Sequence, residues 1–181
     1  MSQNTMPSIC VYLGANPGAN PLFQDTVRML GQELVLRGLS LVYGGSSLGL
    51  MGMLANTVKE YGGQVIGITT SQLMEQEKPL HNLDELLVVH SMQERKQLMQ
   101  QKSDKFLVMP GGLGTMEEAF DTWNAIKMGL FNKPIGFLNT GGYFDHLFSF
   151  ISACEHQGFI LKNQSTIPRV SSDIKELLTE L

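Results

Sequence analysis

The stretch Phe106-Leu107-Val108-Met109-Pro110-Gly111-Gly112-Leu113-Gly114-Thr115-Met116-Glu117-Glu118 decides the fold. Its first four residues form an apolar run of strand length, closed by Pro-Gly-Gly. Past the glycines a helical pattern begins, with Met116, Phe120, Trp123 and Ile126 on the expected buried stripe. A glycine turn therefore joins a buried strand to a helix. Free N–H groups at a helix start attract anions, and glycine lets a phosphate approach the backbone. Two acids one turn into that helix are unusual beside such a cradle. They suit a site that holds a phosphate and does chemistry next to it.

Working outward, the same alternation runs along the chain. Predicted strands at 9–13, 39–43, 65–68, 85–89, 106–109 and 134–138 are interleaved with predicted helices at 21–37, 50–61, 92–102 and 143–156, besides the helix after the glycine turn. Residues 69–82 read as a loop with a short helix, 167–170 as a short extended piece, and 173–181 as a last helix. Such alternation argues for parallel strands joined by right-handed crossovers. Strands that are apolar throughout need helices on both sheet faces. The expectation is one doubly wound, Rossmann-like α/β domain over 1–181, its mostly parallel sheet covered on both faces.

Composition narrows the function classes. Apolar residues make up 43% and charged residues 17%, so the chain can fill a core. A net charge of −4 gives no basic footprint, and no nucleic-acid partner is expected. No window approaches the ~18 apolar residues of a membrane span, and residues 1–8 do not read as a signal peptide. Cys10 and Cys154 fit free thiols in a reducing cytoplasm. His81, His90, His146 and His156 lack metal-ligand spacing, so no metal is expected.

Ligands of such folds bind at the carboxyl ends of the strands. Three glycine turns fall there: Gly14-Ala15-Asn16-Pro17-Gly18, Gly44-Gly45-Ser46-Ser47-Leu48-Gly49, and residues 110–114. Three on one edge imply that something approaches the backbone closely. No Gly-Lys-Ser/Thr follows, so none is a P-loop. A dinucleotide fingerprint would need a third glycine where Glu117 stands. Glu118 has two readings. Thr115 and Glu118 match a capping box, with Thr115 as N-cap; the alternative is catalysis. Arg95 and Lys96 lie between Met92 and Met99, on a helix stripe where apolar residues belong. Either they snorkel to water, or Arg95 faces an anion, such as a phosphate or Glu118. Ser46, Ser47 and His90 are weaker candidates, and Glu77 by itself reads as solvated surface.

Together these residues resemble the LOG ("Lonely guy") family of cytokinin-activating phosphoribohydrolases. Its signature P-G-G-x-G-T-x-x-E is matched by Pro110 through Glu118. Its R-K pair followed by Met is matched by Arg95, Lys96 and Met99. Its Y-G-G-x-x-x-G-L-M-G element is matched by Tyr43 through Gly52. The resemblance implies hydrolysis of the N-glycosidic bond of a nucleoside 5′-monophosphate, without metal or cofactor. It implies Arg95 and Glu118 as catalytic residues and a phosphate-binding turn at Gly111, Gly112, Leu113, Gly114 and Thr115. Other expected substrate contacts are Gly14, Gly44, Gly45, Glu77, Lys96, Met116, Glu117 and Asn124. A homodimer with the site near the interface is also implied. The chain departs from the family pattern at Gln93, where His is usual, at Ala15-Asn16 after Gly14, and at Asn124, a Thr position. The competing class is a non-catalytic nucleotide or cofactor carrier. Lysine decarboxylase, a label such sequences also carry, would need a pyridoxal-phosphate lysine that the chain does not suggest.

Overall fold

The computed structural model describes residues 6–181. In strand β1 (Ser8–Tyr12), Ile9 and Val11 point to one side of the sheet, Cys10 and Tyr12 to the other, and all four are buried. β2 (Ser40–Tyr43) and β5 (Lys105–Val108), its neighbours, are split the same way. Leu41, Tyr43 and Leu107 join Ile9 in one core, while Val42, Phe106 and Val108 join Cys10 in the other. Strands apolar on both faces cannot rest against water on either, so each face gathers helices.

The other strands are β3 (Val65–Thr70), β4 (Glu85–Val89), β6 (Ile135–Leu138) and β7 (Arg169–Ser171). Every pairing between these seven strands is parallel, in the order β4-β3-β2-β1-β5-β6-β7. The first core is closed by α1 (Pro21–Leu36), α2 (Gly49–Glu60) and α8 (Ile174–Glu180), which bring Leu30, Leu54 and Leu177. The second is closed by α4 (Met92–Gln101), α5 (Leu113–Lys127) and α6 (Asp145–His156), through Met99, Trp123 and Ile151. α3 (Ser71–Gln76) and α7 (Lys162–Ser165) are short connectors. Local chemistry sets the helix starts. Asn20 accepts from the Leu22 N–H at 3.0 Å ahead of Pro21, and Ser91 accepts from the Glu94 N–H at 3.1 Å.

Most expected elements form with ends displaced by a residue or two, and all strands are parallel rather than mostly so. α7 and a 3-10 turn at Thr140–Gly142 were not foreseen, and β3 runs on through Thr69 and Thr70 into the expected loop. The important correction concerns α5. Its N-cap is Gly112, in extended conformation, so Thr115 lies inside the first turn and Glu118 one turn deeper than a capping box requires. The buried stripe is turned too. Thr115, Ala119, Thr122, Trp123 and Ala125 face the sheet, whereas Phe120 is 39% exposed and Met116 and Ile126 are half-buried. Small residues on the inner face let α5 lie close over β1, where Tyr12 and Thr122 share a hydrogen bond of 2.8 Å.

Candidate active site

The strand order reverses between β1 and β5, and a cavity of about 500 Å³ opens at their carboxyl ends. Gly14, Ala15 and Asn16 reach it from β1. Pro110, Gly111, Gly112, Leu113, Gly114 and Thr115 reach it from β5. Met92 and Arg95 reach it from α4, Leu50 and Met51 from α2, and Leu73 and Glu77 from α3 and its end.

The glycines of the three turns divide into two kinds. At some, the close neighbour is another turn. A Cβ on Gly14 would meet Asn16 O at 3.0 Å and the Gly111 Cα at 3.4 Å; one on Gly111 would strike the Thr115 side chain and lie 2.9 Å from the Gly14 nitrogen. One on Gly49 would run into the Ala15 backbone. Backbone hydrogen bonds knit the same contacts: Gly14 N–H donates to Pro110 O at 3.2 Å, and Met51 N–H to Gly14 O at 3.2 Å. Gly112 and Gly114, by contrast, have nothing within 4 Å of where a Cβ would be. At the first kind, the close approach expected of a ligand is thus made by the chain itself. The tight glycines are packed by chain, and the open ones face space. From Gly111 to Thr115, the five successive backbone N–H groups have no acceptor among the described residues. With the positive end of the fifteen-residue α5 behind them, they form an anion cradle.

Arg95 occupies the apolar stripe of α4 together with Met99, and both are buried. Its guanidinium uses three directions at once. Nε donates to Ile68 O at 2.8 Å, Nη2 to Gly44 O at 3.2 Å, and Nη1 to Glu118 Oε1 at 3.0 Å. The two carbonyls hold the fork in place and the third arm presents it to the carboxylate. Gly44 is glycine because a Cβ there would collide with the Arg95 Nη2. The side chains of Arg95 and Glu118 are 6% and 12% exposed. Burial raises the Glu118 pKa from 4.5 to about 6, and Arg95 opposes this without cancelling it. Oε2 of Glu118 has no protein partner among the described residues. Lys96 behaves differently. It reaches outward to Glu117 Oε1 at 2.8 Å, and that hydrogen bond holds its proton more tightly than usual.

Of the residues expected to bind or transform substrate, Arg95, Glu118, Gly14, Glu77, Gly111, Gly112, Leu113, Gly114, Thr115 and Glu117 line this cavity. Gly44, Gly45, Lys96 and Met116 do not. Gly44 supports Arg95, Gly45 turns the chain at φ 82°, and Lys96 neutralises Glu117. Asn124 lies away from it, in a second groove with Phe120, Trp123 and Phe159. Ser46 and Ser47 spend their hydroxyls on the Leu48 N–H and Lys78 O, and His90 is exposed outside the cavity. Sequence reasoning missed Asn16, Leu73, Met92 and Tyr143 as lining residues. Tyr143 was findable, because it follows Gly141-Gly142 at the carboxyl end of β6, on the strand edge that exposed the other turns. Among the described residues, no group of three His, Cys, Asp or Glu side chains could hold a metal ion.

A family model described as "Possible lysine decarboxylase" matches residues 51–181. Pyridoxal-phosphate chemistry of that kind needs a neutral lysine amine within the site. Lys96 does not fit, being ion-paired and outside the cavity. A cytokinin riboside 5'-monophosphate phosphoribohydrolase of Arabidopsis thaliana, LOG4, is 39% identical over 181 residues, covering 100% of this chain and 84% of that protein. LOG5 of the same plant is 40% identical, covering 96% and 76%. The enzyme named LOG in Oryza sativa subsp. japonica is 39% identical, covering 96% and 72%. Among solved structures, the molybdenum cofactor binding protein of Rippkaea orientalis superposes with a TM-score of 0.71 at 23% identity, covering 98% of each chain. The molybdenum cofactor carrier protein of Chlamydomonas reinhardtii gives 0.71 at 21%, covering 97% and 99%. At such identities the structures share the fold alone. The sequence relatives carry more, and on their identity and coverage the chain belongs to the LOG family of phosphoribohydrolases.

Proposed function

We propose that this protein hydrolyses the N-glycosidic bond of a nucleoside 5′-monophosphate, releasing a free base and ribose 5-phosphate. The observation that carries this is the buried Arg95–Glu118 pair, in one cavity with five backbone N–H groups that have no acceptor among the described residues. The N–H groups hold the 5′-phosphate. That anchor positions the ribose at a distance from the reacting bond. As the C1′–N bond breaks, positive charge develops on the sugar. The Glu118 carboxylate stabilises that charge and takes a proton from the attacking water, whose oxygen bonds to C1′ while the base leaves with the bond's electrons and is protonated. Burial makes Glu118 a stronger base than an ordinary carboxylate, yet leaves it mostly ionised at pH 7. Arg95 orients it through Oε1 and keeps Oε2 for the substrate side.

Leu50, Met51, Leu73 and Met92 give the cavity an apolar wall for the base, and Glu77 offers it a hydrogen-bond acceptor. With the relatives' names, this supports a cytokinin-type or adenine base. Exposed Phe120, Phe150, Phe159 and Leu161 support a homodimer, since such apolar surface is seldom left in water. The free Cys10 and Cys154 thiols support a cytoplasmic setting, and no helix among the described residues is long and apolar enough to cross a membrane. The test is base release from AMP and isopentenyladenosine monophosphate, by wild type and Glu118→Gln. Base release that the variant lacks is expected. Nucleotide binding with no release would instead assign a carrier.

A further inference from the structure

Tyr143 has no part in the chemistry above, yet its placement is over-determined. The chain leaves β6 through Asn139, whose side chain is used at both ends. Oδ1 accepts the Phe144 N–H at 2.7 Å, and Nδ2 donates to Asp145 Oδ1 at 2.7 Å. Gly141 and Gly142 follow with φ of 60° and 73°, a left-handed pair that side chains rarely adopt. Phe144 is buried and meets the Tyr143 ring edge-on at 5.0 Å, while Phe23 meets that ring edge-on at 5.5 Å. Held this way, the Tyr143 hydroxyl donates to Gly111 O at 2.7 Å.

We propose that Tyr143 is a positioning residue for the 5′-phosphate: its hydroxyl holds the Gly111 carbonyl and thereby sets the direction of the Gly112 N–H. In a planar trans peptide the carbonyl and the following N–H point opposite ways. One hydrogen bond on the carbonyl therefore orients both. The preceding carbonyl, Pro110 O, is held in the same manner by the Gly14 N–H. With both carbonyls engaged, neither peptide turns its oxygen toward an anion. The restraint falls where it is needed, because a peptide between two glycines has no side chain to limit its rotation. While donating this proton Tyr143 has only lone pairs left, so it is no phosphate donor itself. Its effect passes through Gly111.

This inference rests on the phosphoribohydrolase reading only for the identity of the ligand. Tyr143→Phe keeps the ring contacts and removes the hydroxyl. Calorimetry measures binding of ribose 5-phosphate to wild type and variant, alongside steady-state base release. The dissociation constant is expected to rise about 3- to 10-fold, as for partial loss of one hydrogen bond, that of the Gly112 N–H to the phosphate. KM for the nucleoside monophosphate should rise by the same factor with kcat within about twofold, since the Gly112 N–H that Tyr143 aims holds the phosphate in ground and transition state alike. Unchanged affinity for ribose 5-phosphate, or a loss confined to kcat, would overturn the proposal. A wild type that binds ribose 5-phosphate but releases no base refutes the enzymatic reading, while the affinity ratio still judges Tyr143. A wild type that binds no ribose 5-phosphate overturns the positioning role as well.

Discussion

Burial and Arg95 pull Glu118 in opposite directions, and burial prevails, leaving a carboxyl with a pKa of about 6. Cys10 and Tyr12, buried beneath it in β1, are themselves pushed up by burial and stay neutral, so neither relieves the charge. An acid whose folded pKa lies above its unfolded value binds its proton more tightly when folded. Its contribution to stability is complete below pH 4.5 and is lost as pH rises through 6. The loss is about 2 kcal/mol. Glu118→Gln mimics the protonated form and escapes it. We therefore expect the melting temperature of the variant, compared with wild type, to gain roughly 4–8 °C between pH 4.5 and 7.5. Scanning both proteins across that range checks it; curves that stay parallel would contradict the buried, ionised Glu118. Activity should run the other way. The wild-type kcat/KM rises through pH about 6 as Glu118 ionises, and the variant loses that limb with a rate lower by about 10²–10⁴. Arg95 was legible in the sequence as a cation on an apolar stripe, but the stripe also held Lys96 and left open which of the two, if either, turns inward. The release of Glu118 from capping was not legible, because it depends on the extended backbone of Gly112, a conformation glycine permits but does not announce.

At the scale of elements, the turns show what counting glycines can reveal. The sequence marks where the chain bends at a strand end. It does not distinguish a glycine crowded by a neighbouring turn from one that faces a ligand, because the neighbour comes from a distant part of the chain. Gly111 meets Gly14, nearly a hundred residues away, while Gly112 meets nothing. The two positions should therefore respond oppositely to alanine. Gly111→Ala pushes the Thr115 side chain and the Gly14 turn apart, and a cost of about 1–3 kcal/mol for such overpacking should lower the melting temperature by several degrees. Gly112→Ala has room and an ordinary φ of −95°. It should melt within about 2 °C of wild type, as a surface substitution does, while its methyl group, at the cavity edge, raises KM. Thermal melts and KM values for both variants separate the two kinds of glycine. A KM unchanged in Gly112→Ala would remove this turn from the binding site. The turning of α5 was equally hidden. Its apolar residues suggested the stripe, but closeness to β1 selects small ones, and Ala119 and Thr122 won over Phe120.

At the scale of the molecule, alternation in the sequence was enough for a parallel sheet with helices on both faces. Strand order was not readable, since each crossover can lead to either side. The order places β5 beside β1 and so brings the two glycine turns and Arg95 into one cavity. The same wrapping leaves one face incompletely covered. Phe159, 84% exposed, lines the groove that holds Asn124, and Phe150 and Leu161, each next in sequence to a residue of that groove, are 63% and 61% exposed. Leaving a phenylalanine in water forgoes about 1.5–3 kcal/mol that burial would supply, and several together favour covering by a second copy. A second copy seated there would meet Asn124, which lines this groove and not the cavity of its own chain. Phe159→Glu separates folding from assembly. An exposed side chain has few contacts within its own chain to lose, so the variant should fold. In a dimer the new carboxylate would be stripped of water without a partner charge, which costs several kcal/mol. Sedimentation should therefore show wild type at twice the mass of one chain and Phe159→Glu at the mass of one chain, both with the same secondary structure by circular dichroism. A variant that stays dimeric would move the interface off this face, and a wild type that sediments as a single chain would remove it.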